Sequence, residues 1–140
     1  MKITICGSMD FAKNMLESKE SLENKGHKVE IPCDAIMIAN GQHNPNDPDE
    51  NFKHCIRHNV IMDHFKLIAD SDAILVLNYP KNKIDGYVGG SSLMEIGLAY
   101  FLHKKIFLLY PPPKREKMRY SEEIKLMNPI VLAGNLDKIK

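Results

Sequence analysis

The sequence has almost no excess charge: 19 lysines and arginines stand against 18 aspartates and glutamates, a formal net charge of +1. A chain so balanced has no broad electrostatic footprint for DNA, RNA or an anionic membrane, so an anionic ligand has to be held locally. Cysteine is scarce. Cys6, Cys33 and Cys55 are odd in number and lack CxxC spacing, which suggests neither a disulfide framework nor a four-cysteine zinc site and fits a reducing cytoplasm. No apolar run approaches the roughly 20 residues that span a bilayer. Met1 to Cys6 enters a strand pattern at once, with no charged segment, apolar run and cleavage site of a secretory signal. The expected location is the cytoplasm. The glycine patterns GxGxxG and GxxxxGK[ST] are both missing, so a dinucleotide fingerprint and a P-loop are not supported.

What remains is the composition of a folded protein, 44% hydrophobic and 26% charged over 140 residues, enough for one domain with one core. Ile3 to Cys6 is a short β-branched run ending at Gly7-Ser8, after which Phe11, Met15, Leu16 and Leu22 recur near helical spacing. Gly26 closes that helix, and His27 to Ile31 alternates up to Pro32 as a half-buried strand would. Gly41 to Asp49, rich in Asn, Pro, Asp and Gly, reads as a mobile surface loop. A helix is predicted from about Phe52 to Ala69, its apolar stripe carried by Ile56, Val60, Met62, Phe65 and Ile68.

Ala73 to Leu77 is short and continuously apolar, as a parallel strand covered on both faces should be. After a polar loop from Tyr79 to Gly90, a helix is predicted from Ser92 to about His103 and a buried strand from Lys105 to Tyr110, stopped by Pro111-Pro112-Pro113. The tail offers a helix around Ser121 to Met127 and the apolar run Ile130-Val131-Leu132. Strands alternating with helices predict an α/β fold: a doubly wound, mostly parallel five-stranded sheet, flavodoxin- or Rossmann-like, with Ala73 to Leu77 central. Ligands of such sheets sit beyond the carboxyl ends of the strands, so Gly7-Ser8, Asn78 and Gly89 to Glu95 should converge there.

The most informative stretch is Gly86-Tyr87-Val88-Gly89-Gly90-Ser91-Ser92-Leu93-Met94-Glu95-Ile96-Gly97, which sets flexible backbone before a helix and a carboxylate in its first turn. Ser92-x-x-Glu95 is also the spacing of a capping box, in which both side chains satisfy the end N–H groups. The two readings, a catalytic carboxylate and a cap, stand side by side. His54, Arg57, His58, Asp63 and His64 share one predicted helix, as a solvated polar face or a substrate-facing one. His54-x-x-x-His58 has a spacing that could present two imidazoles to a metal, but no glutamate completes HExxH, and neither metal nor cofactor is expected. The basic cluster from Lys114 to Arg119 is short, lacks interleaved aromatics and reads as a solvated loop.

Met94-Glu95-Ile96-Gly97-Leu98-Ala99-Tyr100 resembles the glutamate motif of the nucleoside 2-deoxyribosyltransferase family. Cys6-Gly7-Ser8 resembles the opening turn of the related deoxynucleoside monophosphate N-glycosidases, Ser71 to Val76 the central strand, and Lys104 to Leu109 the strand after the glutamate helix. Asp34 to Asn51 is unmatched. The resemblance implies that Glu95 attacks the anomeric carbon of a nucleoside or nucleotide, expelling the base and forming a covalent sugar ester. Water as acceptor gives hydrolysis and a second base gives transfer.

It further implies a substrate pocket of Gly7, Ser8, Met9, Asn78, Gly89, Gly90 and Ser91, and a homodimer or higher homo-oligomer in which Asn128, near the C-terminus, completes a neighbour's site. Two positions depart from the family pattern. His64 stands where members carry an aspartate that manages the leaving base, with Asp63 adjacent, so His64 or Asp63 is expected to assist the base. Asp10 stands where the monophosphate N-glycosidases have arginine, which would disfavour a phosphate dianion and makes an unphosphorylated nucleoside equally plausible. Ser8, Lys13 and Arg57 remain as phosphate contacts. The other reading is a nucleotide-binding or sensing domain of the same fold without turnover.

Overall fold

Side-chain parity decides how the sheet is covered. In β1 (Lys2–Gly7), Ile3 and Ile5 face one side and Thr4 and Cys6 the other; in β3 (Ala73–Leu77), Ala73, Leu75 and Leu77 alternate in the same way with Ile74 and Val76. Every residue of β3 is buried, so both faces need a cover, and two apolar clusters supply it. Ile3, Ile5, Leu75 and Leu77 pack with Met15 and Leu22 of α1 (Ala12–Glu23). Cys6, Ile74 and Val76 pack with Ile68 of α4 (Val60–Ala69) and with Ile96 and Ala99 of α5 (Gly90–Phe101). Each fully buried aliphatic side chain contributes about 1.5–3 kcal/mol, which makes these two layers the main source of stability.

The computed structural model describes residues 1–140. β2 (Lys28–Glu30), β4 (Lys105–Leu108) and β5 (Ile130–Val131) complete a five-stranded sheet of order β2-β1-β3-β4-β5, with every pairing parallel and Ala73–Leu77 in the middle, as its apolar run predicts. α2 (Ala35–Ala39), α3 (Pro48–His58) and α6 (Ser121–Leu126) are the remaining helices. No helix is long and apolar enough to cross a membrane.

The elements around the coming site differ from expectation. The helix expected over Phe52 to Ala69 is two helices, because Asn59 takes the left-handed conformation (φ 48°, ψ 42°) and breaks it between α3 and α4. Helix α3 starts inside the expected loop: Asp47 caps it by accepting from the N–H groups of Asp49 (3.1 Å) and Glu50 (3.0 Å), and Pro48 needs no donor in the first turn. It buries none of its residues. Helix α5 begins at Gly90, two residues before Ser92, because Gly89 is its extended N-terminal residue (φ −77°, ψ 175°). Strand β4 stops at Leu108 rather than Tyr110. Gly7 ends β1 with φ +153°, and a Cβ there would lie 2.9 Å from the Leu77 carbonyl oxygen, so the turn that opens the site requires glycine.

Candidate active site

A cavity of about 280 Å³ opens at the carboxyl edge of the sheet. This is near the ~300 Å³ lower end of small-molecule clefts. Its floor is the turn after β1, one wall is the start of α5, and the opposite wall comes from α3, α4 and the segment after β2. Of the residues expected in the pocket, Gly7, Ser8, Met9, Gly89, Gly90 and Ser91 line it, together with His64 and Glu95. The convergence of β1, α4 and α5 follows from the right-handed parallel crossovers, which return each helix over the sheet and leave the strand ends in one crevice.

At the deep end, three side chains meet. Cys6 points to the α4/α5 face, His64 projects from α4, and Glu95 precedes the buried Ile96 on α5. His64 Nε2 lies 3.5 Å from Cys6 Sγ and 3.6 Å from Glu95 Oε1. The Glu95 side chain is only 13% exposed and that of His64 only 6%. Two of their polar atoms, Glu95 Oε2 and His64 Nδ1, are buried without a hydrogen-bond partner. Burial pushes the Glu95 carboxyl up to about 8, the neighbouring Cys6 thiol being a smaller, opposing influence. Burial likewise pushes His64 down to about 4, the charge of Asp34 opposing it. Near neutral pH the carboxyl therefore keeps its proton and the imidazole is neutral, so the 3.6 Å contact is not a pair of full charges.

The capping box does not form. Ser92 is the third residue of α5 rather than the residue before it, no side chain caps this helix, and Glu95 Oε2 has no partner. An uncapped first turn of N–H groups at Gly90 to Ser92 thus borders the cavity, and Glu95 is left for something other than its own helix.

The open end is built oppositely. Lys81 sits in a tight reverse turn closed by Lys81–Ile84 backbone bonds, with Asn82 and Lys83 both at positive φ. From there its Nζ reaches Ser8 Oγ and Asp10 Oδ2, each at 2.8 Å. Asn46 Nδ2 donates to the other Asp10 oxygen at 2.7 Å. The bond from Lys81 holds the Asp10 carboxyl below its usual range. Asp10 is thus paired, and its charge is cancelled locally rather than left to repel an anion.

Five expected residues lie elsewhere. Asn78 is fully buried but not in the cavity wall: its amide donates to the carbonyls of Tyr110 (2.8 Å) and Pro111 (3.3 Å) and accepts from the Tyr110 N–H (2.8 Å). Asp63 is exposed on α4, one helical step of about 100° from His64, and does not line the cavity. Asn128 is exposed in the turn before β5, outside this cavity. Arg57 is exposed on α3 without lining the cavity, and Lys13 borders a neighbouring depression. The His54 and His58 rings lie 4.6 Å apart and tilted by 45°, and His54 stacks at 4.1 Å on His43. Cys6 and Lys81 are the residues that sequence reading passes over. The alternation of β1 carries the signal for Cys6, whereas Lys81 is one of several lysines in a polar loop.

No protein-family profile and no curated protein matches the sequence. Among solved structures, a 2-deoxyribosyltransferase from Bacillus psychrosaccharolyticus matches with a TM-score of 0.51 and 18% identity, over 80% of this chain and 74% of that one. This chain has the fold of a 2-deoxyribosyltransferase. A CMP N-glycosidase of Clostridium botulinum also matches, with a TM-score of 0.49 and 20% identity over 94% of this chain and 84% of that one. The resemblance stated from the glutamate motif is thus met at the level of the fold. On this 2-deoxyribosyltransferase fold, Glu95 and His64 occupy the crevice at the strand ends.

Proposed function

We propose that the protein cleaves or exchanges the N-glycosidic bond of a nucleoside or nucleotide, with Glu95 as nucleophile and His64 as the group that moves the proton. The observation that carries this reading is the buried, unpartnered Oε2 of Glu95 at the wall of a small cavity, beside the His64 imidazole. A satisfied structural carboxylate has no reason to be left so. Desolvated and free of competing hydrogen bonds, such an oxygen is a strong nucleophile once it loses its proton.

In this scheme the Glu95 proton passes to His64, the carboxylate attacks the anomeric carbon, and the bond from that carbon to the base nitrogen breaks. The departing nitrogen keeps the electron pair and takes the proton from His64. Water or a second base then attacks the glycosyl ester, the Glu95 carboxylate leaves, and the proton of the attacking group returns to the pair. The buried site keeps bulk water from competing with an incoming base. The open end, where Lys81 and Ser8 meet, is suited to the sugar's polar groups.

The decisive measurement is base release from a panel of nucleosides and monophosphates, with and without free bases, by the wild type and by Glu95→Gln. Glutamine keeps the shape and removes the attacking carboxylate, so turnover should fall by about three orders of magnitude or more while the fold and ligand binding survive. Activity of the variant within about threefold of wild type would rule out the covalent mechanism. Binding without base release by the wild type would point to the sensing domain instead.

A further inference from the structure

We propose that Cys6, His64 and Glu95 form a site for one zinc-class divalent cation, and that filling it switches off the reaction proposed above. The second half rests on that reading of Glu95; the coordination itself does not. One sulfur, one imidazole nitrogen and one carboxylate oxygen lie within 4.8 Å of one another, brought together from β1, α4 and α5. A tetrahedral zinc with Zn–S about 2.3 Å and Zn–N about 2.0–2.1 Å holds its ligand atoms roughly 3.3–3.6 Å apart. The two measured contacts, 3.5 Å from sulfur to nitrogen and 3.6 Å from nitrogen to oxygen, already have that spacing. The third, sulfur to carboxylate oxygen, lies within 4.8 Å.

Charge favours the same conclusion. With Cys6 as thiolate, Glu95 as carboxylate and His64 neutral, a divalent ion brings the formal sum to zero, and both displaced protons leave to solvent. A neutral assembly is what a buried location tolerates, whereas either anion alone would be costly there. The unpartnered Glu95 Oε2 supplies an additional donor on the same carboxylate. Three protein ligands leave one position open toward the cavity, for water or a ligand hydroxyl. A Glu95 carboxylate bound to the ion cannot attack an anomeric carbon.

The test uses the full chain with Cys33→Ala and Cys55→Ala. Neither residue is in the core, and with both gone Cys6 is the one thiol left. Titration with cobalt(II) should give one equivalent of tetrahedral ion with a thiolate-to-cobalt charge-transfer band, displaced by zinc. Adding His64→Gln should weaken binding by at least about 10–100-fold, the loss seen when even a ligand's supporting partner is removed. No charge-transfer band, or cobalt binding untouched by His64→Gln, would overturn the site. In wild type, one equivalent of zinc should abolish base release and a chelator should restore it; unchanged or higher activity with zinc bound through Cys6 overturns the switch. A protein that binds cobalt through Cys6 yet releases no base from any nucleoside sustains the site and sinks the reaction.

Discussion

The two ends of the cavity use nearly the same ingredients to different ends. At the open end a carboxylate, an amine, a hydroxyl and an amide satisfy one another around Asp10 and Lys81 at normal hydrogen-bond lengths, with side chains 31% and 22% exposed. At the deep end a carboxyl, an imidazole and a thiol sit at 3.5–3.6 Å, more deeply buried, with two atoms unpartnered. Completed polar networks hold loops, and incomplete buried ones hold a function in reserve, because leaving such atoms unpaired costs about 1–3 kcal/mol each and folding alone gains nothing from it.

The strongest way to break this contrast is to remove the proton partner. His64→Gln should lower base release by about 10²–10⁴-fold, the usual contribution of a positioned acid–base group. Its pH dependence should also change shape. In the wild type, activity needs the pair to carry one proton, so the rate should be flat between about 4 and about 8 and fall on either side. With glutamine at position 64 the carboxylate has to lose its proton to water, so the rate should rise with pH instead. A profile of the same shape in both proteins would show that His64 plays no part in the proton's path.

Next in size is stability. The Glu95 carboxyl is raised from 4.5 to about 8, so the native state holds this proton more tightly, and the stability that goes with it is lost as pH rises through that interval. His64 is lowered from 6.5 to about 4, so its contribution is lost as pH falls through its own interval. Of this pair, only Glu95 acts above pH 6.5. Glu95→Gln should therefore gain on the wild type from pH 6.5 to 9, by on the order of a few kcal/mol, in urea titrations at each pH. A constant difference across that range would contradict the buried, protonated carboxyl.

The smallest effect belongs to the completed network. Lys81→Met breaks the contacts to Asp10 and Ser8 at the rim, where such pairs contribute about 0–1 kcal/mol, so the urea midpoint should barely move. In the proposed reaction its mark should be on KM, by less than about tenfold, with kcat unchanged. A larger fall in kcat would place Lys81 in the chemistry and erase the distinction between the two ends.

The sequence made the sheet legible because one run, Ala73 to Leu77, can be satisfied only by cover on both faces, and parity in Ile3 to Cys6 assigns the neighbours. Glu95 and His64 were legible as residues but not as a pair: 31 positions separate them, and their contact depends on how α4 and α5 lie on the same face of the sheet. The break at Asn59 escaped because it is one residue's dihedral inside an otherwise helical pattern. Asn78 was placed by its position at a strand end, whereas its direction was fixed by a partner 32 residues away.

That asparagine has a consequence for recognition. By donating to the Tyr110 carbonyl and accepting from the Tyr110 N–H, its amide behaves as one more peptide unit and prolongs the β3–β4 ladder past the last strand residue. Gly86 adds to this on the next loop, since a Cβ there would lie 2.2 Å from the Pro111 carbonyl oxygen, so that loop lies directly against the same proline segment. The loop that carries Lys81 and leads to Gly89 is therefore anchored to the sheet at both Asn78 and Gly86. Its conformational freedom is surrendered when the chain folds, and a small ligand entering the crevice has that much less disorder to remove.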